Sequence, residues 1–419
     1  MSLFFIYLWG CGRQNTLPFH NMNLKKIGLL PRILIAIALG IATGLVMPLA
    51  GVRLFATFNA VFSSFLQFMI PLIILGLVLP AIADVGSGAG KLLIITVLIA
   101  YADTVFAGVL SYLTGSTVFP RLISSGTAME IVKADSAIEP FFTINIPPLM
   151  DVMTALVLAF VLGLGTAFFG SASLKKLAGE IKDIIVKTIE VAIIPLLPIY
   201  IYGIFLQMTY TGEAFNVLKV FLSIIAVIFL LHILLLLFQY IVAGAIAGKN
   251  PFKSLATMLP AYFTALGTAS SAATIPVTLK QTETNGVSKE IAGFTVPLCA
   301  TIHLSGSCLK IVACAIALML MKGMPFDFPM FLGFIMMLGV MMVAAPGVPG
   351  GAIMAALGVL STMLGFGQEE QALMIALYIT MDSFGTACNV TGDGAIALVM
   401  DKFFRKDNRQ GGTSAATGA

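Results

Sequence analysis

The sequence contains little charge. Only 10% of its 419 residues are Asp, Glu, Lys or Arg, and 59% are hydrophobic, whereas soluble domains carry about 25% charged residues. This shortage excludes an ordinary soluble domain. Apolar runs such as 61–83 and 220–238 reach the length of roughly 20 residues that a membrane-spanning helix needs. We therefore predict an integral membrane protein.

Other features are absent as well. The apolar segments lack the alternation over ~10 residues that a transmembrane β-barrel requires, so the spans are predicted to be helical. The five cysteines lack the pair spacing of a metal site and lie mostly in apolar segments, which predicts buried thiols. With only three histidines and no nucleophile beside a base, the sequence does not indicate an enzyme. It also indicates no resident cofactor and no nucleic-acid partner.

Eight segments are predicted to cross the membrane as helices, and their approximate bounds are 33–50, 54–83, 92–116, 146–170, 182–210, 214–246, 290–321 and 371–401. With the N-terminus inside, most Lys and Arg residues fall on the cytoplasmic side, as the positive-inside rule requires. We expect a multi-pass protein of the cell inner membrane with both termini in the cytoplasm. Residues 1–23 read as a leader without a basic start, and we expect translation to begin at Met22.

Two apolar segments, 264–278 and 341–354, have Pro, Gly and small polar residues at their centres. Irregular backbone is tolerated at membrane depth only where protein buries it or water reaches it. Each segment is therefore predicted to be a re-entrant hairpin of two half-helices, and the alternative is a kinked spanning helix. Two hairpins entering from opposite faces, each followed by a spanning helix, form an inverted repeat, which is typical of secondary transporters.

The last predicted span carries a polar stripe. Asp382, Thr386, Asn389 and Asp393 are spaced by 4, 3 and 4 residues, which places them on one face of a helix. A carboxylate within a membrane costs at least ~2.5 kcal/mol on insertion scales and usually marks an ion or substrate path. The alternative is a structural pair with buried donors.

A second polar stripe lies on the preceding span. His303, Ser307 and Lys310 repeat by 4 and 3 residues. Thr301 and Ser305 add hydroxyl oxygens, which a hard cation such as sodium prefers. His303 is either a proton carrier or a hydrogen-bonded packing residue.

Asp103 is a further acid inside a predicted span, in LIAYADTVFAGVL. A single charge is expensive to bury in an apolar medium, so a buried acid needs a partner. We expect Asp103 to pair with Lys310.

Three motifs in the second half are specific: NVTGD at 389–393, SSAATIPVT at 270–278 and PGVPGGAIM at 346–354. Together they resemble the dicarboxylate and amino acid:cation symporters, a family that includes sodium-coupled glutamate and aspartate transporters. The likeness extends over about residues 25–405. It implies an all-α polytopic membrane protein with eight transmembrane helices and two re-entrant hairpins, working as a homotrimer.

The resemblance also implies a division of the chain. A transport core would move across the membrane like an elevator against a scaffold, with the second hairpin as the outer gate. The implied parts are a scaffold with trimerisation helices at 24–250, of which the span at 92–116 joins the transport core, the core itself at 251–405, and a cytoplasmic tail at 406–419.

For the substrate, the resemblance implies that Asp382 holds an amino group. Asn389 and the hydroxyl or backbone groups around Ser270 and Ser271 would hold the α-carboxylate. The tip of the second hairpin at Val348 would close the site.

For the cation, the resemblance implies that Asp393 and Asn389 help to bind one sodium ion. Thr301 and the hairpin tip at Val348 would frame another through carbonyl oxygens. Sodium is then a co-substrate of transport, with protons as the alternative.

Gly385 departs from the family pattern. Members that take acidic amino acids carry an arginine three residues after the acid at 382, and here that position is glycine. A substrate side-chain carboxylate would lose its bidentate partner, at a cost of roughly several kcal/mol. We therefore favour a small neutral amino acid, with Ser307 and Thr386 near its side chain. A cationic or dicarboxylate substrate is the alternative, and the volume that glycine frees would admit a larger substrate.

The family's Asn-Met-Asp-Gly-Thr motif reads HLSGS here, without its amide and its acid. Asp103, followed by Thr104, falls where members have a hydroxyl residue lining the same cation site. Two hypotheses follow. Either Asp103 and Ser305 still bind sodium, or Lys310 or protonated His303 takes the place of one cation and lowers the coupling ratio.

These features favour a secondary active symporter that imports a small neutral amino acid, driven by a cation gradient with sodium as the first choice. One alternative is a proton-coupled or reduced-coupling carrier of a dicarboxylate or other organic acid. A second is a substrate-binding sensor without transport. A channel is disfavoured because the polar residues converge on two helices and two hairpins and do not line a continuous pore.

Overall fold

The computed structural model describes residues 28–86, 91–123, 138–212, 214–346 and 349–411, and every regular element within these ranges is helical. The predicted leader and residues 412–419 of the predicted tail lie outside the described residues. The first seven helices are α1 (Leu29–Gly44), α2 (Leu49–Gly86), α3 (Lys91–Ile123), α4 (Val152–Phe169), α5 (Ala172–Thr188), α6 (Ile194–Tyr210) and α7 (Ala214–Ala247). A π-helical turn, Ile189–Ile193, joins α5 to α6.

The second half of the chain forms shorter helices. They are α8 (Pro251–Thr257), α9 (Leu259–Thr268), α10 (Ser271–Thr284), α11 (Lys289–Ile302), α12 (Ser305–Met321), α13 (Phe328–Ala344), α14 (Gly351–Leu364), α15 (Gln368–Thr380) and α16 (Asp382–Gly411). The change from long to interrupted helices follows the change in sequence pattern after residue 250.

Six segments of the described chain are long and apolar enough to cross a membrane: Leu49–Ala83, Lys91–Ile123, Val152–Phe169, Ala172–Tyr210, Val217–Ala247 and Lys289–Met321. The pair α15 and α16, bent by 62°, makes a seventh if it is one span. The prediction of a helical, multi-span membrane protein is confirmed. The remaining predicted span corresponds to α1, whose 16 residues fall short of the roughly 20 that cross a bilayer unaided.

Both segments predicted to be hairpins are helix–break–helix units. In the first, α9 and α10 meet at Ala269, which has a φ of 49° and is the one non-glycine residue with positive φ in the described chain. In the second, α13 ends at Ala344 and α14 begins at Gly351, and Gly350 directly before α14 has a φ of 76°. The two helices of each unit pack against each other. Entry and exit on one membrane face stays a prediction.

Parts of the described surface are apolar. Large side chains on α4 and α7 are exposed, such as Val161, Leu164, Leu222 and Leu230. Many exposed large apolar side chains on helices of membrane-spanning length suit a lipid environment. The side chains of α12, in contrast, are almost all buried, because α3, α7, α13, α15 and α16 surround it. The centre of the protein therefore lies around α12, where a polar side chain has no contact with lipid.

Glycines set the distance between helices α1 and α6. A Cβ atom on Gly44 would lie 2.6 Å from Thr209 Cβ, and one on Gly40 would lie 2.8 Å from the Tyr202 carbonyl oxygen. Small residues at a helix crossing let the two backbones approach closely in a membrane. These two positions therefore hold α1 against the remainder of the first half.

We expect Gly44→Ala to lower the apparent Tm of the detergent-solubilised protein. Overpacking costs about 1–3 kcal/mol, which exceeds the roughly 1 kcal/mol that alanine gains over glycine in a helix. Gly293→Ala is the matched control, since a Cβ there meets nothing within 4 Å, and its Tm should be unchanged or higher. Equal Tm shifts for both variants, measured at one scan rate, would contradict the close packing of α1 on α6.

Candidate functional site

Two helix breaks bring the polar stripes together. The chain leaves helical geometry at His303 and Leu304, with φ/ψ of −106/102° and −127/46°, and resumes it at Ser305. The second break is the 62° bend between α15 and α16, at Met381. Because α12 packs against α16, residues 303–310 lie beside residues 382–393. Both breaks therefore lie within segments that the sequence predicted as spanning helices.

The two stripes face each other in antiparallel order and form what we call the polar ladder. Its members are His303, Gly306, Ser307 and Lys310 on one side and Asp393, Asn389 and Asp382 on the other. Each stripe that the sequence predicted is therefore in large part the partner of the other.

At one end of the ladder, His303 lies between two carboxylates. Its Nδ1 is 2.9 Å from Asp393 Oδ1, and its Nε2 is 2.7 Å from Asp103 Oδ2. The Gln239 side chain donates to the same Asp103 oxygen at 2.6 Å and to Ser305 Oγ at 3.2 Å. A neutral imidazole donates from one nitrogen only, so this geometry is satisfied by an imidazolium or by one protonated carboxyl group.

The predicted pair of Asp103 with Lys310 is wrong, because the break at residues 303–304 turns the His303 ring, and not Lys310, towards Asp103. His303 is fully buried, and it fills the space between Asp103 and Asp393. Two residues of the expected cation set, Asp103 and Asp393, thus contact one imidazole, and a third, Ser305, is linked to Asp103 through the Gln239 amide.

In the middle of the ladder, the Asn389 amide is satisfied by the protein. Its Oδ1 accepts from the Gly306 backbone N–H at 2.8 Å, and its Nδ2 donates to Ser307 Oγ at 3.2 Å. Tyr378 donates to the same hydroxyl at 3.0 Å. Gly306 N–H belongs to the first turn of α12, where helix geometry provides no partner. Asn389 therefore holds the restart of the broken helix against α16.

At the other end, the Lys310 ammonium is fully buried against Asp382. Nζ lies 3.2 Å from Asp382 Oδ1 and 3.3 Å from the Met381 carbonyl oxygen, and 3.5 Å from the centre of the Tyr378 ring. Asp382 Oδ2 accepts the Gly350 N–H at 2.8 Å. Both oxygens of this carboxylate thus have donors, one of them from the second hairpin.

Gly385 lies directly under the Lys310 side chain. A Cβ atom at position 385 would be 2.6 Å from Lys310 Nζ and 2.9 Å from its Cε. The volume that we expected glycine to free for a larger substrate is therefore filled by a lysine from the neighbouring helix. This lysine also brings a positive charge to the position where the family pattern has an arginine.

Several predicted site residues bond within their own helices. The Thr104, Thr301 and Thr386 hydroxyls donate to the carbonyl oxygens of Ala100, Leu298 and Asp382, respectively. Such bonds to a preceding carbonyl are the usual state of threonine inside a helix.

The first hairpin supplies Ser270 and Ser271. Ser270 caps α10 by accepting the Ala273 N–H at 3.3 Å, and Ser271 is buried at the start of the same helix, which packs against α16. Val348 lies outside the described residues.

Sequence reasoning missed the contribution of α7 and α15. Gln239 and His232 come from α7, and His232 Nε2 lies 3.1 Å from the Gly306 carbonyl oxygen. Gln239 lies in a long apolar run, and an isolated amide in such a run could have indicated that this helix contributes to the site. Tyr378 gave no such signal, because an aromatic residue in an apolar helix is ordinary.

A helical, multi-span protein with a desolvated polar ladder between broken helices has the architecture of a membrane carrier. The chain belongs to the Sodium:dicarboxylate symporter family, whose model matches residues 29–403. The family resemblance seen in the motifs is therefore confirmed, and the family is one of transporters and not of enzymes.

Relatives differ in how much of the chain they match. Excitatory amino acid transporter 2 of Homo sapiens is 33% identical over 158 residues, which are 38% of this chain and 27% of the human protein. The Serine/threonine transporter SstT of Acinetobacter baumannii is 26% identical over 397 residues, covering 90% of this chain and 97% of SstT. The SstT of Streptococcus suis is 28% identical over 342 residues, covering 79% and 94%.

We expect His303→Ala to destabilise the protein by about 3–5 kcal/mol, because it leaves the buried Asp393 carboxylate and the part-buried Asp103 carboxylate without their shared partner. Asp393→Asn should then cost less in the His303→Ala background than in the wild type. The measurement is the apparent Tm of the four proteins of this double-mutant cycle.

His232→Ala is the control for that cycle, since the His232 ring contacts a backbone carbonyl and not a carboxylate. Its effect should add to that of Asp393→Asn. Additive effects of His303→Ala and Asp393→Asn would show that the His303–Asp393 contact carries no coupling energy.

Proposed function

We propose that the chain is a secondary active symporter that moves a small carboxylate-bearing solute together with a cation through the site between α12, α16 and the two hairpins. The polar ladder carries this proposal. Charged groups at the bilayer centre cost about 2.5–3.5 kcal/mol each on insertion scales, and this protein places Lys310, Asp382, His303 and Asp393 together in its core.

For the substrate, two candidates have support. A small neutral amino acid is favoured by the SstT proteins, whose names give serine and threonine and which match most of this chain. In that case Asp382, Asn389, Thr386, Ser307 and the start of α10 contact the substrate. An organic acid without an amino group is favoured by the Lys310–Asp382 ion pair.

For the coupling ion, we propose sodium, in line with the family, with Asp393, Asn389 and the oxygens near Thr301 as the binding groups. His303 takes the place of a second cation between Asp393 and Asp103. The number of cations moved per substrate is therefore lower than it would be in a transporter whose two carboxylates were free. Proton coupling through the same cluster is the alternative.

The proposed assembly is a homotrimer in the cell inner membrane, with both termini in the cytoplasm and an elevator movement of the 251–405 core. The close packing of α3 along α12 supports the inclusion of the third span in the moving part. Helix α7 also packs on α12 and α16 and contributes Gln239, so we add it to that part.

Uptake into proteoliposomes tests the function. We expect accumulation of at least one member of a panel of amino acids and organic acids when a sodium gradient is imposed, and Asp393→Asn should reduce it by at least about tenfold. Sodium and proton gradients are imposed separately. Uptake that follows only the proton gradient would overturn the sodium assignment.

Asp327→Asn is the matched control. Asp327 is exposed and caps α13 by accepting the Met330 N–H at 2.9 Å, and asparagine caps a helix about as well as aspartate. This variant should transport like the wild type. Saturable binding without uptake under either gradient would favour a sensor and contradict the symporter proposal.

A further inference from the structure

The Lys310 ammonium pairs with the Asp382 carboxylate, which would otherwise attract a positively charged group of the substrate. It is fully buried, 3.2 Å from Asp382 Oδ1, and the other oxygen of Asp382 holds the Gly350 N–H. A buried ion pair of this kind is electrically balanced, and adding a second ammonium beside it brings two like charges together in a medium that screens them weakly.

The other two carboxylates of the site, those of Asp393 and Asp103, are also already in contact with groups of the protein. Asp393 Oδ1 and Asp103 Oδ2 both face His303, and Asp103 also accepts from Gln239. Each of the three acids around the two helix breaks therefore already contacts a cationic or N–H group of the protein. Within the described residues of this site, a substrate ammonium finds no carboxylate without such a contact.

We propose that Lys310 is a specificity-determining residue whose ammonium stands in for that of a substrate, and that the substrate is a small carboxylate without an α-amino group. This inference rests on the proposed function, of which it names the substrate class. It selects the organic acid over the amino acid.

Gly385 makes the Lys310–Asp382 ion pair sterically possible. The Lys310 side chain passes so close to position 385 that a Cβ atom there would be 2.6 Å from Nζ and 3.3 Å from Cδ. The ammonium reaches Asp382 only because position 385 has no side chain. The glycine is therefore a condition for the ion pair, and the two residues act as one unit.

The test compares acids that differ only in an ammonium or a hydroxyl group: serine with glycerate, alanine with lactate, and aspartate with malate. Binding to the full-length purified protein is measured by calorimetry, and uptake is measured in proteoliposomes under sodium and proton gradients. In at least one pair, the wild type should bind the hydroxy acid at least about tenfold more tightly than the amino acid, a difference of about 1.4 kcal/mol.

Lys310→Met removes the ammonium and frees Asp382, so the preference should reverse in favour of the amino acid. Because Asp382 is then buried without its partner, Lys310→Met/Asp382→Asn is prepared in parallel, and it should bind both members of a pair with similar affinity. Lys322→Met is the control for loss of a lysine. Lys322 pairs with Glu369 at 2.9 Å outside the ladder, and this variant should keep the wild-type preference.

Tighter binding of the amino acid by the wild type in every pair would overturn the inference. An unchanged preference in both Lys310 variants would overturn it as well, and so would the absence of binding for all six acids. Gradient-driven uptake of an amino acid in preference to its hydroxy acid would overturn the inference and leave the proposed function intact. Preferential binding of a hydroxy acid without uptake under either gradient would support the inference and contradict the proposed function.

Discussion

Charge compensation in a water-poor core is the constraint on which this structure depends. Lys310 and His303 are fully buried, and Asp382 and Asp393 nearly so, in a region where a single ion is costly and a balanced pair is tolerated. The antiparallel ladder meets this constraint by placing Lys310 and His303 each against a carboxylate from α16. Asp103 and Gln239, from α3 and α7, complete the ladder at the His303 end.

The helix breaks are a consequence of the same constraint. A continuous helix through residues 303–310 would keep His303 and Ser307 on one face, one turn apart. The non-helical backbone at His303 and Leu304 instead lets the imidazole reach Asp103 while Gly306 meets Asn389. The Met381 carbonyl oxygen accepts the Gly385 N–H at 3.1 Å and is also contacted by Lys310. The bend at Met381 places Asp382 in the first turn of α16, where a carboxylate suits the positive end of the helix dipole.

Much of this arrangement was open to prediction. The spacing of Asp382, Asn389 and Asp393 indicated a polar face, and the Pro- and Gly-rich centres of both hairpin segments indicated helix breaks. The breaks at 303–304 and at Met381 gave no comparable signal, because neither is at a proline or a glycine. Without them the partners of Asp103 and Lys310 were assigned to each other, although each is closer in space to another group.

The sequence by itself determined that the chain is helical, lies in a membrane and carries its polar residues on two short segments, because composition and spacing are local properties. Only the tertiary structure decided which acid meets which cation. Asp103, His303 and Asp393 are far apart along the chain, and their contact depends on how α3, α12 and α16 pack. The same holds for Gly385. Its role became clear only from the structure, because Lys310 on another helix fills the space beside it.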